Sequence, residues 1–262
     1  MKVQSKVVLL ITIVAFIFLV ALYLIQLTEQ QKTQDILAER KLEKSKSFRQ
    51  AIQLFESNLE VFAKDYTQWD EMVDFVRTRD SIWADENIDY SLNTYQANAV
   101  WIFKPDLTLQ YSVNNLSLSS IDLFPIEKEK IEKLFNDNFF CHFYIQIDSM
   151  LFEIRSAPIQ PSSDLKRTTK PAGFFFAARV WDKNFISKLE LQTSSQITLL
   201  NTSNVKKIGG NVTDKDYTIT VVETLLDWKD ETLIKVISQS DFPILKTSAE
   251  VFNKQIISLL AF

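Results

Sequence analysis

Two groups of residues in this chain have types and spacings that could do chemistry. One is Cys141-His142, the single cysteine and the single histidine of 262 residues, set side by side. An adjacent thiol and imidazole would suit a nucleophile with its base, or two metal ligands. The other is Asp65-Tyr66-Thr67-Gln68-Trp69-Asp70-Glu71-Met72-Val73-Asp74-Phe75, which packs four acids into ten residues. Carboxylates gathered in this way can serve acid–base catalysis when a partner base or a metal completes the set.

Neither group carries its chemistry through. Phe139-Phe140-Cys141-His142-Phe143-Tyr144-Ile145 reads as a strand, and neighbours on a strand point to opposite faces. Cys141 is therefore read as buried packing. With one histidine, metal sites and Ser-His or Cys-His catalysis lack most of their parts, so no catalytic residue, metal or cofactor is expected. In the acidic group, Asp65 and Trp69 share a helical face, as do Tyr66 and Asp70. Tyr66 and Trp69 read as core anchors and the acids as their solvated flank. A carboxylate half-buried beside such rings needs a partner. Arg179, in the otherwise apolar strand Ala172–Val180, is the candidate, so an Asp70–Arg179 pair holding helix to sheet is expected. Asp65, Tyr66, Trp69, Asp70 and Arg179 form the candidate ligand-contacting set, each read first as structural.

The elements that position these residues begin at the N-terminus. Val7 to Ile25 is a nineteen-residue run with one polar member, Thr12, and no charge. At ~1.5 Å per residue it matches the thickness of a bilayer's hydrocarbon core. It is longer than a signal-peptide core, and Leu22 to Leu27 offers no small-residue cleavage site. We read 1–6 as a cytoplasmic N-terminus, 7–26 as a transmembrane helix and 27–255 as an extracytoplasmic domain. Charge barely decides the orientation, because Lys2 and Lys6 before the span are answered by Lys32, Arg40 and Lys41 after it. Residues 256–262 read either as a final amphipathic turn or as the start of a second, truncated span.

Beyond the span, Thr28 to Lys46 is a polar helix, and then a regular apolar series begins. Phe48, Ile52, Phe55, Leu59, Phe62, Tyr66, Trp69, Val73 and Val76 alternate steps of four and three, which predicts one helix with one apolar seam. The lower half is expected to lie on its own domain. The upper half, with Lys41 and Ser45 at seam positions, is expected between subunits of a homodimer. Strands follow at 98–103, 108–113, 141–147, 151–158, 172–180, 197–201, 217–226 and 232–238. Residues 126–135 read as a helix, Asp182 caps a short helix through Leu189, Asp148-Ser149-Met150 makes a tight turn, and Gly209-Gly210 reads as another turn. A last helix leaves Phe242. The pattern is α+β, a helix-interrupted antiparallel sheet in one domain. A net charge of −4 argues against nucleic acid, and three glycines leave no phosphate loop.

These residues resemble the CHASE-type extracellular sensory domains, specifically the fourth subtype. The likeness rests on Asp65, Trp69 and Asp70 at the helix end, then Asn87, then Val100-Trp101-Ile102-Phe103 with Asp106, and later Gly173 to Arg179 with Asp182 to Leu189. It covers most of residues 45 to 240. Leu107 stands where glycine is usual, Val73 replaces a tyrosine, and Trp228-Lys229-Asp230-Glu231 lacks its glycine. The resemblance implies a PAS-like, Cache-like sensor of the inner membrane, binding a small molecule and coupled to an output domain absent from these residues. The competing expectation is a membrane-anchored assembly protein that uses the heptad seam to hold a protein partner.

Overall fold

The structure, a computed structural model, describes residues 3–135, 139–201 and 218–260. The expected Gly209-Gly210 turn lies outside these residues. Helix α1 (Val3–Tyr66) is uninterrupted for 64 residues, about 96 Å of helix. None of its apolar segment is buried, and it is long enough to cross a membrane. The predicted seam is buried where the domain begins: Phe48, Ile52, Leu59 and Phe62 are each 5% exposed or less. This half of the seam is thus covered by its own chain, which removes it as a surface for a protein partner.

The predicted single helix from 48 to 76 breaks at Thr67–Trp69. Trp69 is extended (φ −143°, ψ 128°), and α2 (Asp70–Thr78) starts afresh after it. The break is made by distant partners: Gln160 N–H donates to the Thr67 carbonyl at 2.9 Å, Gln68 bridges in parallel to Gln160, and the Arg167 guanidinium donates to Thr67 Oγ1 at 3.0 Å. A short α3 (Ser81–Ala84), capped by Asp80 onto Ile82 and Trp83 N–H, runs on through residues 85–89 to α4 (Tyr90–Thr94).

Five antiparallel strands follow: β1 (Ala99–Phe103), β2 (Leu109–Asn114), β3 (Cys141–Ile147), β4 (Met150–Ile159) and β5 (Gly173–Val180), in the order β2-β1-β5-β4-β3. Helix α5 (Lys128–Leu134) lies between β2 and β3. The period of two is visible in the packing. Val100, Ile102, Phe175 and Ala177 face Leu59, Phe62 and Phe75 on the helical side. Trp101, Phe103, Phe176 and Ala178 face Ile121, Ile126 and Ile131 on the other. Gly173 sits where a Cβ would meet the Phe103 carbonyl oxygen at 2.4 Å, so no larger residue fits there without a shift. The β3–β4 turn is the two residues Asp148-Ser149, one fewer than expected because Met150 already pairs with Ile147, and φ is positive at both positions (48° and 69°).

The remaining strands form a second sheet rather than extending the first, which corrects the expectation of a single sheet. Helix α6 (Lys183–Thr193) is capped by Asp182, whose carboxylate accepts from Phe185 N–H at 2.7 Å. It leads to β6 (Gln196–Asn201), β7 (Thr218–Leu226) and β8 (Thr232–Asp241), ordered β6-β8-β7. Their core joins Phe48 and Ile52 of α1 to Trp181, Phe185, Leu189, Val221 and Val236. One helix therefore backs both sheets. Lys44 reaches the Thr193 carbonyl at 3.1 Å and Arg49 pairs with Glu223, fastening α1 to the second sheet's side. Helix α7 (Pro243–Leu260) closes the described chain, and Phe242 just before it lies against Arg40 of α1.

Candidate functional site

Four of the five nominated residues come together where α1 ends. Tyr66, the last residue of α1, places its hydroxyl 3.0 Å from the Asn87 carbonyl, to which it donates, and 2.6 Å from Ser91 Oγ. Its ring meets Trp69 edge-on at 5.4 Å, and Trp69 in turn packs on Trp83 at 5.1 Å. Asp65, Tyr66 and Trp69, with Lys64, Gln68, Ser162 and Leu165, line an open groove of about 550 Å³. Asp70 stands at its edge. Its carboxylate accepts from Ser162 N–H (2.9 Å) and Oγ (2.6 Å), and these bonds hold it below the usual carboxylate range. Asp70 thereby ties the 160–170 loop to the start of α2.

The expected Asp70–Arg179 pair does not form. Asp70 is spent on Ser162, while Arg179 points at α1 from β5 and is 3% exposed. Its guanidinium donates to the Phe55 carbonyl and to Glu153, its neighbour across the β4–β5 ladder. Arg179 thus does hold helix to sheet, but through a backbone carbonyl and a different acid.

Sequence reasoning missed the two arrangements that matter most here. The first is Arg167, buried and in the left-handed region (φ 51°). It donates to the carbonyls of Pro158 (2.9 Å), Lys64 (3.3 Å) and Thr67 (3.5 Å), and to Thr67 Oγ1 (3.0 Å). A cation among the last carbonyls of a helix satisfies groups that have no partner within the helix. The second is a buried cluster lower on α1. Glu56 accepts from the Tyr144 hydroxyl and from Arg155 (3.2 Å), and Glu153 accepts from Arg155 (3.2 Å) and Arg179. His142 Nε2 stands 3.6 Å from both acids. Burial, then Glu153, pushes Glu56 up to about 7. Burial, then Arg155 and Arg179, pushes His142 down to about 3.

The oxygens of Glu56 and Glu153, together with His142, approach within 4.8 Å of one another, close enough to suggest a cation. The donor set does not fit one. All four carboxylate oxygens already accept from Tyr144 or an arginine, and two guanidinium charges oppose a metal. Cys141 and His142 do face opposite sides of β3, as expected. The thiol is buried near the Leu134 carbonyl at 3.3 Å, and burial raises it to about 11, which leaves it unreactive.

A long helix backing a five-stranded antiparallel sheet in the order 2-1-5-4-3, with a second sheet below it, defines a PAS-like sensory fold. The chain belongs to the CHASE4 domain family, whose sequence signature matches residues 51–200. The periplasmic domain of Vibrio cholerae LuxQ is similar in structure (TM-score 0.53, 13% identity), covering 77% of this chain and 100% of its own. A second structure of that domain matches with TM-score 0.53 and 12% identity, over 78% of this chain and 99% of that one. The sensor domain of the V. cholerae histidine kinase DctB matches at TM-score 0.49 and 11% identity, over 80% and 99%. A search of curated proteins found no match. The chain is therefore a sensing module, and the sequence-based assignment to CHASE-type sensors holds.

Proposed function

We propose that this chain is the sensory part of an inner-membrane receptor, with its main domain outside the cytoplasm. A small molecule bound in the groove at the end of α1 is its input. The observation that carries this reading is continuity. Tyr66 lines the groove, and the same unbroken helix runs from Tyr66 down to the apolar segment. A ligand that shifts Tyr66 shifts the helix that crosses the bilayer, provided it binds two helix positions with different affinity. The groove pairs the Asp65 carboxylate with two aromatic faces, a combination suited to a positively charged or amine-bearing ligand. The exposed positions within residues 27–47 of α1, apart from Arg40 and Lys44 that face their own chain, give a homodimer its contact surface, and α7 returns the signal toward the membrane and an output domain.

The test is thermal unfolding of the full chain in detergent micelles against amines, amino acids and organic acids. A ligand of the folded state adds about 2.7 kcal/mol at a hundredfold excess over its dissociation constant. A cationic compound whose shift is lost in Asp65→Asn and Trp69→Phe supports the groove. A shift retained in both variants places the site elsewhere. No shift from any compound, with the chain folded, favours a receptor that reads a protein partner.

A further inference from the structure

We propose that Glu56 is a proton-binding site through which the domain reads pH, proton uptake seating α1 on the sheet and proton release loosening it. The site is built at the junction of four elements. From α1 come Glu56 and Glu60, from β3 His142 and Tyr144, from β4 Glu153 and Arg155, and from β5 Arg179. Helix α6 sets the Phe185 ring over Arg179 at 5.0 Å, its cap Asp182 and its Lys188 line a cleft with Arg179, and the β7 acid Glu223 is engaged with Arg49 nearer the membrane. Glu56 is the residue on which the helix end of the cluster hangs, with one oxygen on Tyr144 and the other on Arg155. Glu153 lies beneath it with no exposure at all.

Ionising Glu56 in this place sets a second buried charge beside Glu153, and the two carboxylates share Arg155 as donor. Neutral Glu56 removes that repulsion and the cost of stripping water from a charge, which together outweigh the pull of Tyr144, Arg155 and Arg179 toward the charged form. The seated helix accordingly favours the protonated acid, which agrees with the upward displacement of Glu56 to about 7. Glu60, at the edge, is displaced the other way, chiefly by its bond to Lys64, and stays charged. His142 stays neutral across the same range, and with its side chain 31% exposed it opens the cluster to water. A seated carboxyl then binds a proton roughly a few hundredfold more tightly than a solvated one, and linkage requires that proton uptake favour the seated helix. Because α1 continues unbroken into the apolar segment, this input reaches the membrane without passing through the groove.

The test uses the full chain in detergent micelles, with no added compound. Carbon-13 glutamate labelling follows carboxyl titration, and hydrogen exchange, corrected for its intrinsic pH dependence, follows residues 49–62. One glutamate is expected to titrate near neutrality and to move upward in Tyr144→Phe, which loses a bond to the charged form. Protection of 49–62 is expected to be greater at about pH 6 than at about pH 8, and Glu56→Gln is expected to keep the acid-side protection at both. The proposal is overturned if no glutamate titrates above the ordinary range. A titration unmoved by Tyr144→Phe, or equal protection at both pH values, also overturns it. Should Glu56→Gln fail to fold, the wild-type and Tyr144→Phe titrations still decide. A failed compound screen leaves this inference standing, and a failed titration leaves the groove standing.

Discussion

Replacing Arg179 with methionine probes the junction between helix and sheet most sharply. The substitution keeps much of the buried volume and removes the donors to Phe55 O and Glu153. Glu153 is fully buried, so losing a cation there leaves a charge that water cannot reach. One-sided loss of a buried pair costs about 3–5 kcal/mol. The low end applies here, because Arg155 still donates to Glu153 at 3.2 Å and because Arg179 Nε, which has no acceptor among the described residues, is no longer buried unpaired. A loss of about 3 kcal/mol lowers the melting midpoint of a domain of this size by roughly 6–12 °C. Thermal unfolding of the full chain, followed by near-ultraviolet circular dichroism, reads this directly. Adding Glu153→Met to Arg179→Met removes the stranded charge, so the double variant is expected to be more stable than the sum of the two single losses by at least about 1 kcal/mol. A single variant within about 0.5 kcal/mol of wild type would refute the reasoning, as would strictly additive losses.

Three further outcomes are expected. Asp70→Asn leaves the fold intact and loosens residues 160–170, because Ser162 is its partner; limited proteolysis should cut that loop faster, and an unchanged rate counts against the tie. Arg79→Gly stabilises the domain by roughly 1 kcal/mol, since Arg79 ends α2 in the left-handed region (φ 56°) where glycine is unstrained; denaturant midpoints measure it. The pH dependence follows from two opposed groups. Glu56, raised from 4.5 to about 7, contributes stability that is fully present below 4.5 and lost as pH rises through 7. His142, lowered from 6.5 to about 3, contributes stability present above 6.5 and lost as pH falls toward 3. Between about pH 4.5 and 6.5 the two slopes oppose. His142→Gln should therefore gain stability on acidification across that window, as thermal midpoints against pH would show.

The legible parts were those whose signal is local. Strand ends at Cys141 and Ile147, the Asp148-Ser149 turn and the Asp182 cap are each set by a few neighbouring residues, and the structure places them where the sequence indicates. The helix break at Thr67–Trp69 was hidden because its cause is the Gln160 strand end and the Arg167 loop, about a hundred residues away in sequence. The division into two sheets was hidden for a similar reason, since alternation marks strands but not their neighbours. Arg179 was rightly singled out as needing a partner, but Asp70 was expected to be half-buried and is exposed, and proximity in type does not select among acids. Glu153 is Arg179's cross-strand neighbour, and that register is visible only once β4 and β5 are paired. Leu107 was noted in place of a usual glycine, and it does adopt the left-handed region (φ 63°) that glycine serves.

The most direct test of the central claim follows α1 while the groove is filled. Hydrogen exchange along α1 would be compared with and without the amine that gives the largest thermal shift. Continuity of the helix predicts altered protection at residues 64–69 together with a change that carries down through residues 27–47. A change confined to the groove and the 160–170 loop, with the lower helix unaltered, would contradict transmission through α1.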